Sequence, residues 1–237
     1  MRDTNLDPFE PEVAPNTNTN MNTLQNNSDN DNDIVTKTGT TTVGITAEDG
    51  CVIATDRRAS LGGRFVSNKN VVKVEQIQSR TAMTLVGSVG GAQDFIKQLR
   101  AEAELYEARR REEMPVSSIA NLASSFARRG PFAAINPIIG GVDADGSSHV
   151  YTIDPAGGCI VDDYAVTGSG MQIAHGKIEG DYHDNITVDE AKRIASNAVQ
   201  AAAQRDTASG NGLVLCTITE DDLTINKYDD YSIVKEL

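Results

Sequence analysis

Three features of the sequence predict an α+β fold, with two antiparallel sheets packed face to face and helices outside them. Strand-like and helical patterns come in segregated blocks: strands, two helices, strands, one or more helices, strands. Adjacent strands are joined by tight-turn signals, as antiparallel neighbours require. The helical stretches each carry one apolar stripe, which needs a sheet to cover it.

The elements can be read in order from Thr40. "TTVGITA" and "CVIATD" flank Asp49-Gly50 and predict a β-hairpin. "RFVSNKNVVKVEQI" and "TAMTLVGSVG" predict two more strands. From Val89, the residues Ala92, Phe95, Ile96, Leu99, Ala103 and Tyr106 form a helical stripe. A second helix is expected to start near Pro115, with Ile119, Leu122, Ala123 and Phe126 on one face. Its neighbour "EARRREE", from Glu107 to Glu113, reads as a solvated helix end, with an inter-ring contact as the sharper alternative. Strand patterns return in "INPIIGGVD", "SHVYTID" and "CIVDDYAVTG", separated by the turns "DADG" and "PAGG". Thr187 and Glu190 have capping-box spacing and open a helix with Ile194, Ala195, Ala198, Val199 and Ala202 inward. "GLVLCTIT" and "LTINKYD" close the chain as a last hairpin.

Residues 1–39 form a separate region. The run "NTNTNMNTLQNNSDNDND" holds too little apolar surface to offset the entropy of ordering, which predicts disorder. The remaining residues, 40–237, suffice for one well-buried domain. The first 20 residues contain no apolar core of the kind a secretory signal needs, so a cytoplasmic protein is expected. No run approaches the ~18 apolar residues of a membrane span. Net charge is −13. Residues 1–39 hold two basic and seven acidic residues, leaving 19 basic against 27 acidic beyond them, a net of −8. That sign argues against nucleic acid and anionic lipid as partners, and is compatible with life in concentrated salt. Cys51, Cys159 and Cys216 have no metal-ligand spacing and read as small buried hydrophobes; His149, His175 and His183 receive no role.

The domain begins on three threonines behind a glycine, and the first of them can do chemistry. A threonine hydroxyl inside a chain is a weak nucleophile that needs a base within reach. Cleavage between Gly39 and Thr40 would give Thr40 its own base, an α-amine with a pKa near ~7.7–8.0. Gly39 permits the tight backbone turn such a cut requires. The plainer alternative is that "TTT" merely starts a β-branched edge strand. Lys73 is expected to point inward beside Val71, and a buried lysine needs a partner, for which Asp56 is available. A fixed ammonium beside an α-amine favours the neutral amine, the form that acts as base. The glycine-bearing loops "TGSG" (Thr167 to Gly170) and "QRDTASG" (Gln204 to Gly210) are either polar site loops or ordinary caps and turns.

Taken together, "GTTTVGI", "ATDRRAS", "NKNVVKVEQI", "TLVGSVGGAQ", "GGVD", "YAVTGSG" and "QRDTASG" resemble, in this order, an archaeal 20S proteasome β subunit. The resemblance runs from Gly39 nearly to the C-terminus. It implies an N-terminal-nucleophile hydrolase sandwich of helices, sheet, sheet and helices, in agreement with the element order above. It also implies that residues 1–39 are a propeptide removed by self-cleavage between Gly39 and Thr40. Thr40 would then be the nucleophile, and Asp56 with Lys73 the pair that tunes it. Ser169, Asp206 and Ser209 would surround the terminal amine, and the Gly87 N–H would hold the oxyanion. Ala59, Val71, Leu85 and Val89 fall on the stretches that line the specificity pocket; all are uncharged, which implies a chymotrypsin-like preference. The implied function is a threonine-type endopeptidase acting on unfolded polypeptides without cofactor or metal. The implied partners are other β subunits in seven-membered rings, α subunits capping a four-ring stack, and a regulatory ATPase ring. Two alternatives remain at this point: an amidase of the same catalytic type acting on small molecules, and a catalytically silent ring subunit.

Overall fold

A computed structural model describes residues 39–87, 89–129 and 135–235. The propeptide expected before Gly39 lies outside the described residues. Twelve strands make two five-stranded antiparallel sheets and one separate hairpin among the described residues. The first sheet has the order β10-β1-β2-β11-β12, from Tyr164–Gly168, Thr41–Ala47, Gly50–Asp56, Leu213–Ile218 and Leu223–Tyr228. The second has the order β5-β6-β7-β8-β9, from Val74–Gln78, Thr81–Thr84, Ile138–Val142, Ser148–Ile153 and Cys159–Asp162. Helices α1 (Val89–Arg110) and α2 (Val116–Arg129) pack on the second sheet, and α3 (Met171–Glu179) and α4 (Val188–Ala203) on the first. This is the predicted four-layer order.

Strand alternation explains how both faces of a sheet become buried. In β2, Cys51 and Ile53 face the second sheet, whereas Val52 and Ala54 face the helix layer. Successive side chains point to opposite faces, so a strand covered on both sides reads as a continuous apolar run. The outer helices close the remaining faces. Ala92, Phe95, Ile96, Leu99 and Ala103 of α1 are buried, and Phe95 meets Phe126 of α2 edge to face, 6.1 Å between ring centroids. The α2 amide at Val116 is capped by Asp143 Oδ1 at 2.8 Å, so Pro115 stands just before the helix. The α4 capping box is present as predicted, and its whole predicted stripe is buried. The residues Glu107 to Arg111 are exposed, with Arg110 over the Tyr106 ring at 5.7 Å. Among the described residues no helix is long and apolar enough to cross a membrane.

Three readings need correction. The stretch before Val74 is not one strand, because Ala59–Leu61 (β3) and Phe65–Asn68 (β4) form a hairpin of their own around Gly62-Gly63. "CIVDDYAVTG" divides at Asp163, with β9 in the second sheet and β10 in the first. Cys159 is only half-buried, since β9 is an edge strand, while Cys51 and Cys216 are fully buried.

Candidate active site

Four chain segments converge at one end of the first sheet. Thr40 immediately precedes β1, and Asp56 ends β2. Ser169 lies in the turn from β10 into α3, and Asp206 and Ser209 in the loop from α4 into β11. Antiparallel register brings these ends together: Thr41 lies opposite Gly168, and Asp56 opposite Leu213. Lys73 comes from the chain just before β5, on the second sheet. The site therefore depends on both sheets being packed correctly.

Asp56 is the organising anion. Its Oδ1 accepts from Lys73 Nζ at 2.7 Å and from the Thr41 amide at 2.9 Å. Its Oδ2 accepts the amides of Arg58 and Gly210, both at 2.9 Å. Lys73 and Asp56 are both buried, and such a pair is costly unless hydrogen-bonded; Asp56 accepts four donors, and Lys73 Nζ donates to Asp56. Burial draws the Lys73 pKa below the ordinary lysine value, and the attraction and hydrogen bond of Asp56 oppose that shift.

The second polar group surrounds the Thr40 nitrogen, which is a peptide amide in the intact chain. It donates to Ser169 Oγ at 3.1 Å. Ser169 and Ser209 both donate to Asp206 Oδ2, at 2.5 and 2.6 Å. The Thr40 hydroxyl donates to the Gly39 carbonyl oxygen at 2.7 Å, so the hydroxyl and the preceding carbonyl are adjacent. A side chain at residue 39 would not fit: its Cβ would lie 1.7 Å from Ala208 Cβ and 2.9 Å from Ser60 Oγ. Ser60 Oγ also accepts the Gly39 amide at 3.2 Å. Glycine is thus required here by close approach, in addition to any turn geometry.

Thr40, Asp56, Lys73, Ser169, Asp206 and Ser209 are accordingly brought into one hydrogen-bonded group. Gly87 follows β6 and bridges to Ile135. Of the predicted pocket residues, Ala59, Val71 and Leu85 are half-buried. The Leu85 amide donates to Lys73 O at 2.8 Å and the Val71 amide to Arg57 O at 3.0 Å, which ties their stretches to the site. The Leu85 side chain packs on the core beneath α1 and α2. Val89 opens α1, and its side chain lies outside the described residues. Sequence reasoning missed Ser60, Thr41 and Ala208, whose contacts lie 21 to 169 positions away. The only signal for any of them was the small-residue content of "RRAS" and "DTASG".

A family profile described as "Proteasome subunit" matches residues 36–218. The chain is similar to "Proteasome subunit beta" of Halorhabdus utahensis, 67% identical over 196 residues covering 83% of each chain. It is 58% identical over 231 residues to "Proteasome subunit beta" of Halomicrobium mukohataei, covering 98% of this chain and 94% of that one. The protein of the same description from Natronomonas pharaonis is 56% identical over 233 residues, covering 98% and 95%. With likeness of this extent over a fold whose strand ends meet at Thr40, the chain belongs to the proteasome subunit family, among the β subunits.

Proposed function

We propose that the chain is a threonine-type endopeptidase of a proteasome core particle, made active by cutting its own Gly39–Thr40 bond. The observation that carries this reading is the buried Thr40 hydroxyl on the Gly39 carbonyl at 2.7 Å, beside a nitrogen that donates to the surface residue Ser169. In self-cleavage the Thr40 oxygen bonds to the Gly39 carbonyl carbon, the C–N bond breaks, and the proton passes from oxygen to nitrogen. Water then hydrolyses the resulting ester, leaving a carboxylate on Gly39 and a free amine on Thr40. That amine becomes the base for later turnovers, in which the Thr40 hydroxyl attacks a substrate carbonyl and water releases the acyl group. The Gly87 N–H is assigned to the oxyanion. Asp56 and Lys73 set the charge beside the amine, and Ser169, Asp206 and Ser209 hold it.

The substrates are unfolded polypeptides, cut by preference after large apolar residues. The residues assigned to the specificity pocket, Ala59, Val71, Leu85 and Val89, are uncharged types with no partner to offer a charged side chain, whose desolvation would go uncompensated. The working assembly places β subunits in seven-membered rings within a four-ring stack, capped by α subunits and fed by a regulatory ATPase ring in the cytoplasm. Family membership supports assembly with other subunits; the ring number and the ATPase belong to this proposal.

One experiment addresses chemistry and preference together. Thr40→Ala should leave residues 1–39 attached by mass spectrometry and reduce peptide hydrolysis to background. The unmodified complex should begin at Thr40 and cleave fluorogenic peptides after Tyr or Leu faster than after Arg or Glu. A Thr40→Ala chain that still loses its first 39 residues would exclude self-cleavage. Faster cleavage after charged residues would overturn the preference.

A further inference from the structure

We propose that Thr41, the residue after the nucleophile, is a positioning residue that couples the two carboxylates of the site, reaching Asp56 through its amide and Asp206 through its hydroxyl and Ser209; this rests on the reading of Thr40 given above. Thr41 is fully buried, and its side-chain oxygen lies 2.7 Å from Ser209 Oγ, also fully buried. Counting hydrogens fixes the direction of that bond. Ser209 has one hydroxyl hydrogen, and it goes to Asp206 Oδ2 at 2.6 Å. Ser209 therefore has only lone pairs to offer, and Thr41 is the donor. The main-chain amide of Thr41 meanwhile donates to Asp56 Oδ1 at 2.9 Å, the oxygen that also receives Lys73 Nζ.

One residue thus grips both halves of the site. Through its backbone it holds Asp56 and the lysine; through its hydroxyl it orients Ser209 and so Asp206. Asp206 in turn holds Ser169, which binds the Thr40 nitrogen. The position itself asks only for a β-branched residue in a buried strand, a demand valine would meet equally well. A buried hydroxyl is costly unless bonded, so its presence follows from the bond to Ser209. Room for it is left by Gly170, where a Cβ would stand 2.0 Å from Thr41 Oγ1. Being fully buried, the side chain has no access to a bound peptide and acts only through its neighbours.

The test uses the full-length chain assembled with its partner subunits, comparing Thr41→Val, Thr41→Ser and Thr41→Ala. Valine keeps the shape and removes the hydroxyl. It should lower kcat roughly tenfold, the effect of one lost bond in a charged network, with KM unchanged. Serine should restore most of the turnover. Should the valine variant fail to assemble, the serine and alanine variants, which differ from each other only by the hydroxyl, decide the matter: serine should be several-fold faster. A merely structural role would lower the unfolding midpoint of all three without separating kcat from KM. Wild-type kcat in Thr41→Val, or equal kcat in the serine and alanine variants, would overturn the assignment. An inactive wild-type complex would instead remove the peptidase reading, and the role of Thr41 with it.

Discussion

Asp56 accepts four hydrogen bonds, from Lys73, Thr41, Arg58 and Gly210, and three of the donors are main-chain amides. That distribution separates the charge of Lys73 from its scaffolding value. Lys73→Ala removes one donor and leaves three, so the fold should persist despite the usual cost of breaking a buried pair. Under the proposed mechanism turnover should fall on the order of 100-fold, because the ammonium assigned to keep the Thr40 amine neutral is gone. Lys73→Arg should not rescue it, since a planar fork cannot occupy the place of a point charge between Asp56 and the core. Near-normal kcat in Lys73→Ala, with a native far-UV spectrum, would remove Lys73 from the mechanism. Strand alternation was the wrong reason to bury Lys73, which precedes β5 and lies in no strand, but its burial and its pairing with Asp56 were legible in the sequence from the rarity of unpaired buried lysines. The contact of Gly39 with Ala208 was not. Sequence reasoning asked of Gly39 only a tight turn, whereas the structure adds a neighbour that leaves no space for a Cβ.

At the scale of elements, signals carried within a few residues were the legible ones. The first hairpin and the capping box of Thr187 and Glu190 depend on short-range geometry, and both are present, although the hairpin turns at Glu48-Asp49 rather than at Asp49-Gly50, and Gly50 is the first residue of β2. What failed was the division of polar or continuous runs. β3 and β4 are three and four residues long, too short for a period to register. The crossing at Asp163 moves the chain from one sheet to the other without a glycine or proline to mark it. Just beyond that crossing, Tyr164 of β10 donates its hydroxyl to Glu179 at the end of α3, 2.5 Å away, and tethers helix to sheet. This bond to the carboxylate holds the phenol's proton, and its pKa is pushed up from 10.0 to about 12. A raised folded-state value means that the protonated form is favoured by folding. Its contribution is fully present below pH 10 and is lost as pH rises toward 12. The ring is half-buried but its bond to Glu179 lies at the surface, so the effect is small and screened by salt. Tyr164→Phe should therefore lower the unfolding midpoint slightly at neutral pH, and the difference from wild type should vanish above the tyrosine titration. A difference that persists unchanged at high pH would assign the effect to packing instead.

The layer order of the whole molecule was legible because blocks of strands and helices leave few ways to cover every apolar face. Charge at this scale was legible too, and it carries a prediction about assembly. The chain bears −13, or −8 once residues 1–39 are removed. In the assembly proposed above many such chains stand side by side, and like charges facing one another across their interfaces repel. The Debye length is about 10 Å at 0.1 M salt and about 3 Å at 1 M, so the repulsion across an interface is nearly silenced only in concentrated salt. Apolar contacts between subunits, which strengthen as salting-out ions are added, move in the same direction. The assembled particle should therefore be intact at molar salt and dissociate on dilution to low ionic strength. Complexes of the Thr40→Ala chain, if they keep residues 1–39, hold five more negative charges per copy and should dissociate at a higher salt concentration than mature ones. Sedimentation velocity across a salt series would read both midpoints. Particles that remain whole at low ionic strength would show that attractive contacts outweigh the summed charge. Equal midpoints for the two forms would show that the charge of residues 1–39 is not felt at the interfaces.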